Sequence, residues 1–360
     1  MLQLRLIEHA APTGVEDPDM LLGWMLDTLG LVRRRNDTGG EDAKQRALHR
    51  LLRDEFLANP SKGRDAKSLA KTLGISMTAL HHHLKGLHST RLITSTQGEE
   101  GWQLHFLRCG SLAGAIEVLA KEAVAILRLR LEEVAPFHTG KISFDAVDQA
   151  EALPLELVIR ERGPQDGDGD AISVFLDDMG LRGKRAKSAD DLARVLFDRL
   201  LEASRPLSLD EILADHNVTR PRLHRTFDRF RRAGLVERIL RKDRMDSLLW
   251  DGLNAQHARR GVVWLTQKGG LSRLDEQVAG SVVKSLEEGK FDLARCEELF
   301  ADVDLDQKMI ALNLLGGRLP YGYRLTGENW SMVTLNVIQR VEDTFNRLAM
   351  VAQKLDGSES

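Results

Sequence analysis

The same order of hydrophobic patterns occurs twice along the chain. Residues 2–31 and 155–181 both begin with alternating apolar residues, which predict a strand, and continue through an acidic turn into a helix. Each of these helices ends at a glycine, Gly30 or Gly180, and glycine favours the left-handed conformation that caps a helix. A basic connector and a further helix follow, at 41–57 and 189–203. We therefore predict an internal duplication.

A short helix, a tight turn and a longer helix come next in each copy. The short helices are predicted at 66–73 and 209–215, and the longer ones at 77–87 and 220–232. When the copies are aligned without a gap, apolar residues match at the inward positions: Ile75 and Val218, Leu80 and Leu223, Leu84 and Phe227, Leu87 and Phe230, Leu92 and Leu235. Ser76 and Thr219 stand where an N-cap is expected. Both copies therefore predict a helix-turn-helix.

A hairpin and a trailing helix complete each predicted unit. Return strands are predicted at 103–107 and 262–265, with hairpin tips at 98–101 and 252–261. Trailing amphipathic helices are predicted at 113–133 and 272–288. The sequence thus divides into a first repeat (1–135, with a winged helix-turn-helix at about 41–108), a connector (136–154), a second repeat (155–290, with its unit at about 189–267) and a helical C-terminal region (291–360).

The predicted fold class is α+β and mostly helical. Good helix formers dominate the periodic stretches, and the last long helix, at about 329–355, carries a wide apolar stripe. Its members are Met332, Leu335, Val337, Ile338, Val341, Phe345, Leu348 and Val351. This stripe predicts either a homodimer formed through the C-terminal helix or packing of that helix on the chain's own second half.

Composition adds only broad limits to this picture. The chain has 360 residues and a formal net charge of −3, so a nucleic-acid partner has to be argued from local clusters of charge. We expect a cytoplasmic protein without a membrane segment, because no apolar run is long enough to span a bilayer and the start lacks a secretory pattern. Two cysteines, Cys109 and Cys296, give no disulfide framework and no zinc cluster.

The second helix of each predicted pair carries the candidate site for double-stranded DNA. In a helix-turn-helix this helix lies in the major groove, and its outward side chains meet bases and phosphates. In the first copy the outward residues are polar and mildly basic: Met77, Thr78, His81, His82 and Lys85. In the second copy they are arginines, and positive charge continues into the predicted wing: Arg220, Arg222, Arg225, Arg229, Arg232, Arg238, Arg241, Lys242 and Arg244.

Both units resemble the winged helix-turn-helix modules of ArsR- and MarR-type regulators. The stretch SLAKTLGISMTALHHHLKGLHSTRLI carries this resemblance most clearly, and the FLRCGSL step after the first wing is also similar to predicted archaeal helix-turn-helix regulators. The resemblance covers about half of the chain and implies transcriptional control by operator binding. Two features depart from it: the unit is duplicated in one chain, and Pro221 stands early in the second recognition helix, where a first-turn proline is tolerated.

Two further patterns in the sequence resemble metal sites, and neither fits one. The consecutive histidines 81–83 point about 100° apart on a helix and cannot chelate one metal ion together. The acidic run 166–170 resembles a calcium loop but lacks the glutamate at the twelfth position, so we interpret it as an acidic turn before a helix. We predict a sequence-specific, non-catalytic transcription regulator without a metal or cofactor. The alternatives are a protein-interaction or chromosome-associated scaffold and a replication-initiator type protein.

Overall fold

A computed structural model describes residues 1–32, 43–98, 101–141, 152–163, 170–183 and 191–357. The described part is α+β and mostly helical, as predicted. The acidic run 166–170 lies outside it except for Asp170, whose carboxylate accepts the backbone N–H of Ser173 and so caps the following helix. Most of both basic connectors and most of the segment 136–154 also lie outside the described residues.

The elements of the first half follow the predicted order. They are β1 (Gln3–Ile7), α1 (Pro18–Thr28), α2 (Ala43–Arg50, continued by π-helical turns at Leu51–Leu57), β2 (Arg64–Asp65), α3 (Ala66–Leu73), α4 (Met77–Ser89), β3 (Ile93–Gln97), β4 (Gln103–Leu107) and α5 (Leu112–Val134). The predicted trailing helix of the first copy is therefore confirmed as α5.

The second half repeats this order and adds four helices. They are β5 (Glu156–Arg160), α6 (Ala171–Asp178), α7 (Leu192–Glu202), β6 (Leu207–Ser208), α8 (Leu209–Asp215), α9 (Arg220–Arg232), β7 (Val236–Leu240), α10 (Met245–Gln267), α11 (Glu276–Glu287), α12 (Leu293–Phe300), α13 (Leu305–Leu314), β8 (Tyr321–Leu325) and α14 (Trp330–Gly357). The added helices α10 to α13 lie between β7 and β8.

Two small sheets have the same strand order and register. Each has three antiparallel strands, in the orders β2-β4-β3 and β6-β8-β7. Ile93 pairs with Leu107 in the first sheet, and Val236 pairs with Leu325 in the second. The short strands agree as well, since Arg64 faces His105 and Leu207 faces Tyr323. The counterpart of β4 is therefore β8.

The predicted return strand of the second copy is wrong. Residues 262–265 belong to α10, in which Gly261 adopts a left-handed φ of 77° and interrupts the helix, and the predicted hairpin tip at 252–261 is also helical. The helix predicted at 272–288 corresponds to α11 and does not trail the sheet. The counterpart of α5 is α14, which lies in the C-terminal region (291–360) that the sequence places outside both repeats. A short apolar run such as 262–265 fits a buried strand and a buried helix equally well.

The residues between β7 and β8, which we call the insert (241–320), have a core of their own. Its buried side chains include Leu249, Leu265, Val282 and Phe300, with Leu240 at its edge. A separate and larger core extends from Leu2 to Leu355 and contains apolar residues of both halves. The two repeated halves therefore share one core, while the insert packs beside it.

The strands β1 and β5 join the two halves in a register that is symmetric under their exchange. Gln3 pairs with Arg160 and Ile7 with Glu156, and β1 matches β5 residue by residue. The flanking glutamates repeat this symmetry. Glu8 accepts the backbone N–H of Leu155 at 2.8 Å, and Glu161 accepts that of Leu2 at 2.7 Å. Such a self-complementary contact is typical of a two-fold dimer interface.

The carboxylates of both glutamates also bind arginines. Arg91 lies 2.9 Å from Glu161, and Arg347 lies 2.8 Å from Glu8. The N–H of Leu2 and then the Arg91 guanidinium lower the pKa of Glu161. Burial raises the pKa of Glu8, but the N–H of Leu155 and the guanidinium of Arg347 outweigh that effect and leave it below its usual value. Both side chains are therefore negatively charged at neutral pH.

The long helices α5 and α14, which correspond to each other in the two halves, make the second contact between the halves. They run antiparallel, because the indole N–H of Trp330 at the start of α14 donates to the carbonyl of Leu131 near the end of α5 at 2.7 Å. At the other end, Asp356 accepts the N–H groups of Leu112 at 3.0 Å and of Ala113 at 2.8 Å, two of the four donors left open at a helix N-terminus.

This packing accounts for the apolar stripe of the C-terminal helix. Its members Val337, Ile338, Val341, Phe345, Leu348 and Val351 are buried within the chain. Only Met332 and Leu335 remain exposed, at 43% and 56%. The stripe therefore packs within the chain, but mainly on α5 and α1 of the first half, whereas the intramolecular alternative placed it on the second half. A homodimer through this helix is not supported.

Two glycines hold the helix ends α1 and α6 against the paired strands. Gly30 has a φ of 62°, and a Cβ there would lie 2.6 Å from the carbonyl oxygen of Arg5. Gly180 has a φ of 70°, and a Cβ there would lie 2.8 Å from Val158 Cγ2. Arg5 and Val158 are the mutually paired central residues of β1 and β5. Both glycines are therefore required because the end of a helix lies directly against the central residue of a paired strand.

We predict that Gly30→Ala lowers the free energy of unfolding far more than Gly14→Ala. Gly14 also has a positive φ, 74°, but nothing lies within 4 Å of its Cβ position. Gly14→Ala should cost about 1 kcal/mol of backbone strain, and Gly30→Ala at least about 2 kcal/mol more, because the backbone of β1 must move. Urea unfolding of both variants measures the difference. Equal losses would contradict the close packing of α1 on β1.

Candidate nucleic-acid interface

The helices α3 and α4 are joined by a tight turn and are delimited by local capping. Asp65 accepts the N–H of Ser68 and starts α3, and Gly74 ends it with a left-handed φ of 66°. Ser76 accepts the N–H of Ala79 at 3.2 Å, which confirms it as the N-cap of α4. Two residues therefore separate the end cap of α3 from the first residue of α4.

The pair α8–α9 has the same arrangement with different caps. Thr219 stands at the N-cap position of α9, but its hydroxyl makes no capping hydrogen bond. Pro221 lies in the first turn, where its missing N–H costs nothing. The inward residues Leu223, Phe227 and Phe230 are fully buried, as are Leu80 and Leu87 of α4. Both longer helices therefore turn the predicted apolar face to the core.

The outward face of α4 is placed as predicted. Its five candidate residues are all exposed: Met77, Thr78, His81, His82 and Lys85. His83, the last of the three consecutive histidines, is buried. Lys85 is the one Lys or Arg among the five, so this face is polar with little permanent positive charge. The described part of the β3–β4 hairpin contains no Lys or Arg, and Trp102 at its tip is 60% exposed.

The arginines of α9 do not form one outward face. The positions that match Met77, Thr78, His81, His82 and Lys85 are occupied by Arg220, Pro221, His224, Arg225 and Asp228. Only Arg220 and Arg225 of the predicted arginines are therefore on the equivalent face. Arg225 is exposed, and Arg220 is paired with Asp210.

The remaining arginines of α9 lie nearer the protein. Arg229 is so close to Gly183 that a Cβ on that glycine would lie 1.8 Å from Nη1 of Arg229. Burial lowers the pKa of Arg229, and the charges of Arg225 and Arg222 add to this effect. Arg232 lies 3.7 Å from Glu156 of β5. The prediction that Arg229 and Arg232 share the outward face is therefore wrong, because that flank of α9 packs on β5 and the end of α6.

The positive charge predicted for the second wing is divided by the insert. Arg238 of β7 lies over the ring of Tyr321 at 3.6 Å. Arg241 is only 4% exposed and donates to Asp243 at 2.6 Å and to the carbonyl of Pro206 at 3.3 Å. The side-chain bond to Asp243 raises the pKa of Arg241. Arg241 therefore ties the start of the insert to β6 and is not an outward DNA contact.

Lys242 and Arg244 follow Arg241 at the start of the insert, and both are exposed. Arg244 lies 3.4 Å from Glu211. The sequence predicted these two residues on a wing, but they precede α10, whose helix takes the place of a hairpin turn. Any contact they make with a nucleic acid would belong to the insert.

Sequence reasoning missed a pair of histidines that joins α4 to its sheet. Nε2 of His88 in α4 lies 3.0 Å from Nδ1 of His105 in β4. Burial, with the charges of His88 and His81 adding to it, lowers the pKa of His105 to about 4. Burial also lowers the pKa of His88. The position of β8 that matches His105 is Tyr323, whose hydroxyl lies 3.3 Å from Nδ1 of His224 in α9. Each longer helix is thus bonded to its sheet through an imidazole.

Comparison with known proteins finds no matching family model, no similar curated protein and no similar solved structure. Among the described helices, none combines the length and the apolar character that crossing a lipid bilayer requires.

We predict that His105→Tyr reduces the loss of stability on acidification. The folded-state pKa of about 4 is below the ordinary value of 6.5, so the unfolded chain binds more protons between these values. The stability contribution of neutral His105 is complete above about pH 6.5 and is lost as the pH falls towards 4. His105→Tyr should remove about 2 kcal/mol of that loss. Urea unfolding between pH 7 and pH 4 measures it, and exposed His82→Gln is the control.

Matching pH profiles of wild type and His105→Tyr would contradict the assignment of a buried, neutral imidazole at this position. A His82→Gln profile that changed as much as the His105→Tyr profile would contradict it as well.

Proposed function

We propose that the chain binds double-stranded DNA through two winged helix-turn-helix units and acts as a sequence-specific transcription regulator. The observation that carries this proposal is the repeated arrangement itself. Two helix pairs, α3–α4 and α8–α9, are each combined with a three-stranded antiparallel sheet in the same register, in which one strand precedes the pair and two follow it. In such units the second helix enters the major groove and the hairpin touches the adjacent backbone. No catalytic step is part of the proposal.

The symmetric frame supports a two-site mode of binding. The pairing of β1 with β5 and the packing of α5 on α14 join the halves in one chain as subunits are joined in a dimer. Regulators with two-fold symmetry read two half-sites on one duplex, each with one recognition helix. We propose that α4 and α9 read two half-sites in this way, with unequal contributions because their outward faces differ.

The outward faces of α4 and α9 differ in charge, so we propose different roles for them. Arg220 and Arg225 are on the outward face of α9, and arginine can bind a phosphate or a guanine edge in a bidentate manner. The face of α4 offers Lys85 and the polar residues Thr78, His81 and His82. In this proposal α9 supplies most of the electrostatic affinity, and α4 contributes hydrogen bonds and apolar contacts to bases.

A protein-interaction scaffold is the second candidate function. The nearly neutral face of α4 and the exposed Trp102 at the tip of the first hairpin favour it, because aromatic residues are enriched at protein interfaces and charged residues are depleted there. Winged-helix units serve both purposes, so the fold alone does not choose between them.

We predict that the purified chain binds duplex DNA with an affinity that falls as salt rises, and that it prefers DNA from its own upstream region to random duplex. Arg225→Ala and Lys85→Ala should each reduce the slope of log affinity against log salt by about 1, because each removes one phosphate contact. Fluorescence anisotropy at several salt concentrations measures these slopes. Arg128→Ala, at an exposed position of α5, is the matched control.

An absence of binding at low salt would contradict the DNA proposal and favour the scaffold. Unchanged slopes for Arg225→Ala and Lys85→Ala, with binding intact, would show that α4 and α9 do not face the duplex. A slope reduced equally by Arg128→Ala would point to diffuse attraction by the surface as a whole.

A further inference from the structure

A cavity of about 550 Å³ lies where the insert meets the second helix-turn-helix. The first turn of α9 and the strands β7 and β8 form one wall, and the residues that lead from α13 back to β8 form another. In the described part of the first half no element corresponds to this second wall, since only five residues separate β3 from β4. The cavity is therefore a product of the insert.

Arginine side chains from separate elements converge on this cavity. Arg220 comes from α9, Arg238 from β7, Arg244 from the start of the insert and Arg318 from its end, while Arg241 lies buried among them. Asp210 is the one acidic residue in the cavity lining. Glu211 and Asp243 lie close by and neutralise part of the charge, since both contact Arg241. The lining therefore keeps a net positive charge.

Two of these arginines lack a carboxylate partner among the described residues. Arg318 is exposed at the cavity and forms no ion pair there. Arg238 is held by the ring of Tyr321, and its buried Nε has no hydrogen-bond partner within the described part of the chain. A buried guanidinium donor without a hydrogen-bond partner is costly, so Arg238 and the exposed Arg318 are both able to take an additional acceptor.

The lining also contains neutral groups that can form hydrogen bonds. The Tyr323 hydroxyl and the His224 imidazole lie 3.3 Å apart at the cavity. Burial raises the pKa of Tyr323 and lowers the pKa of His224, so both are uncharged near neutral pH. The ring of Tyr321 lines the same space beside Arg238. Such a mixture of cations, neutral donors and an aromatic face suits an organic anion.

We propose that this cavity binds a phosphorylated small molecule. Its phosphate would be held by Arg238 and Arg318, with Arg220 and Arg244 adding positive charge, and an attached ring would pack beside Tyr321. Arginine matches phosphate through bidentate hydrogen bonds. The volume falls within the usual range of small-ligand sites, about 300–1,000 Å³. The proposal does not depend on the proposed DNA binding.

The test titrates the full chain with inorganic pyrophosphate and with phenyl phosphate, by calorimetry and without DNA. We expect both probes to bind, and phenyl phosphate to gain from the ring of Tyr321. Arg238→Gln and Arg318→Gln should each weaken binding about tenfold, the effect of losing one charge-assisted contact. Arg318 is exposed, so its substitution leaves the fold intact, and exposed Arg259→Gln on α10 is the matched control.

Three results would overturn the proposal. Neither probe binding the wild-type chain at millimolar concentration would do so. Equal weakening by Arg259→Gln would show attraction to the insert surface as a whole. Loss of duplex affinity in Arg238→Gln and Arg318→Gln, without any binding of the free probes, would assign these arginines to the DNA backbone. Probe binding in a chain that fails to bind DNA would leave this proposal standing and reject only the proposed function.

Discussion

The antiparallel pairing of β1 with β5 is the contact on which the arrangement of both halves depends. Its register is unchanged when the halves are exchanged, and the two glutamates beyond the strand ends repeat the same bond in both directions. The strands also fix the helices behind them, because Gly30 lets α1 approach the backbone of Arg5 and Gly180 lets α6 approach the side chain of Val158. The packing of α5 on α14 extends this interface along the molecule. One polypeptide thus holds a contact that homodimers make between two chains.

The two halves share a symmetric interface but differ in the parts that surround it. The first half keeps a short hairpin and a buried imidazole pair, whereas the second half has Tyr323 at the matching position and the insert between β7 and β8. Arg241 holds the insert at its root through Asp243 and Pro206. Because the insert has its own core, it can add a cavity without disturbing the shared one. The two units can therefore carry different tasks on one scaffold.

Much of this organisation could be predicted from the sequence, since the repeated order of elements, the helix pairs α3–α4 and α8–α9 and the inward residues Leu80, Leu223, Phe227 and Phe230 follow from periodicity alone. The return strand of the second copy could not be predicted correctly, because residues 262–265 fit either a strand or a helix. The local sequence also gives no signal that an insertion begins after β7. The missed match between α5 and α14 follows from that error. The sequence also does not show which flank of α9 is covered by the rest of the protein. Arg229 and Arg232 are polar, yet Arg229 faces Gly183 after α6 and Arg232 faces Glu156 of β5, because tertiary packing decides this. The contact between His88 and His105 could not be predicted either, because it forms only when α4 packs on the sheet that contains β4.

The central claim is that the shared frame presents α4 and α9 to one duplex from a single chain. Hydroxyl-radical footprinting tests it most directly, with a duplex selected from a random pool and a chain-to-duplex ratio fixed by sedimentation. The account predicts two separate protected segments at one chain per duplex, and loss of only one segment in Arg225→Ala. A single protected segment at one chain per duplex, or protection that requires two chains, would contradict it.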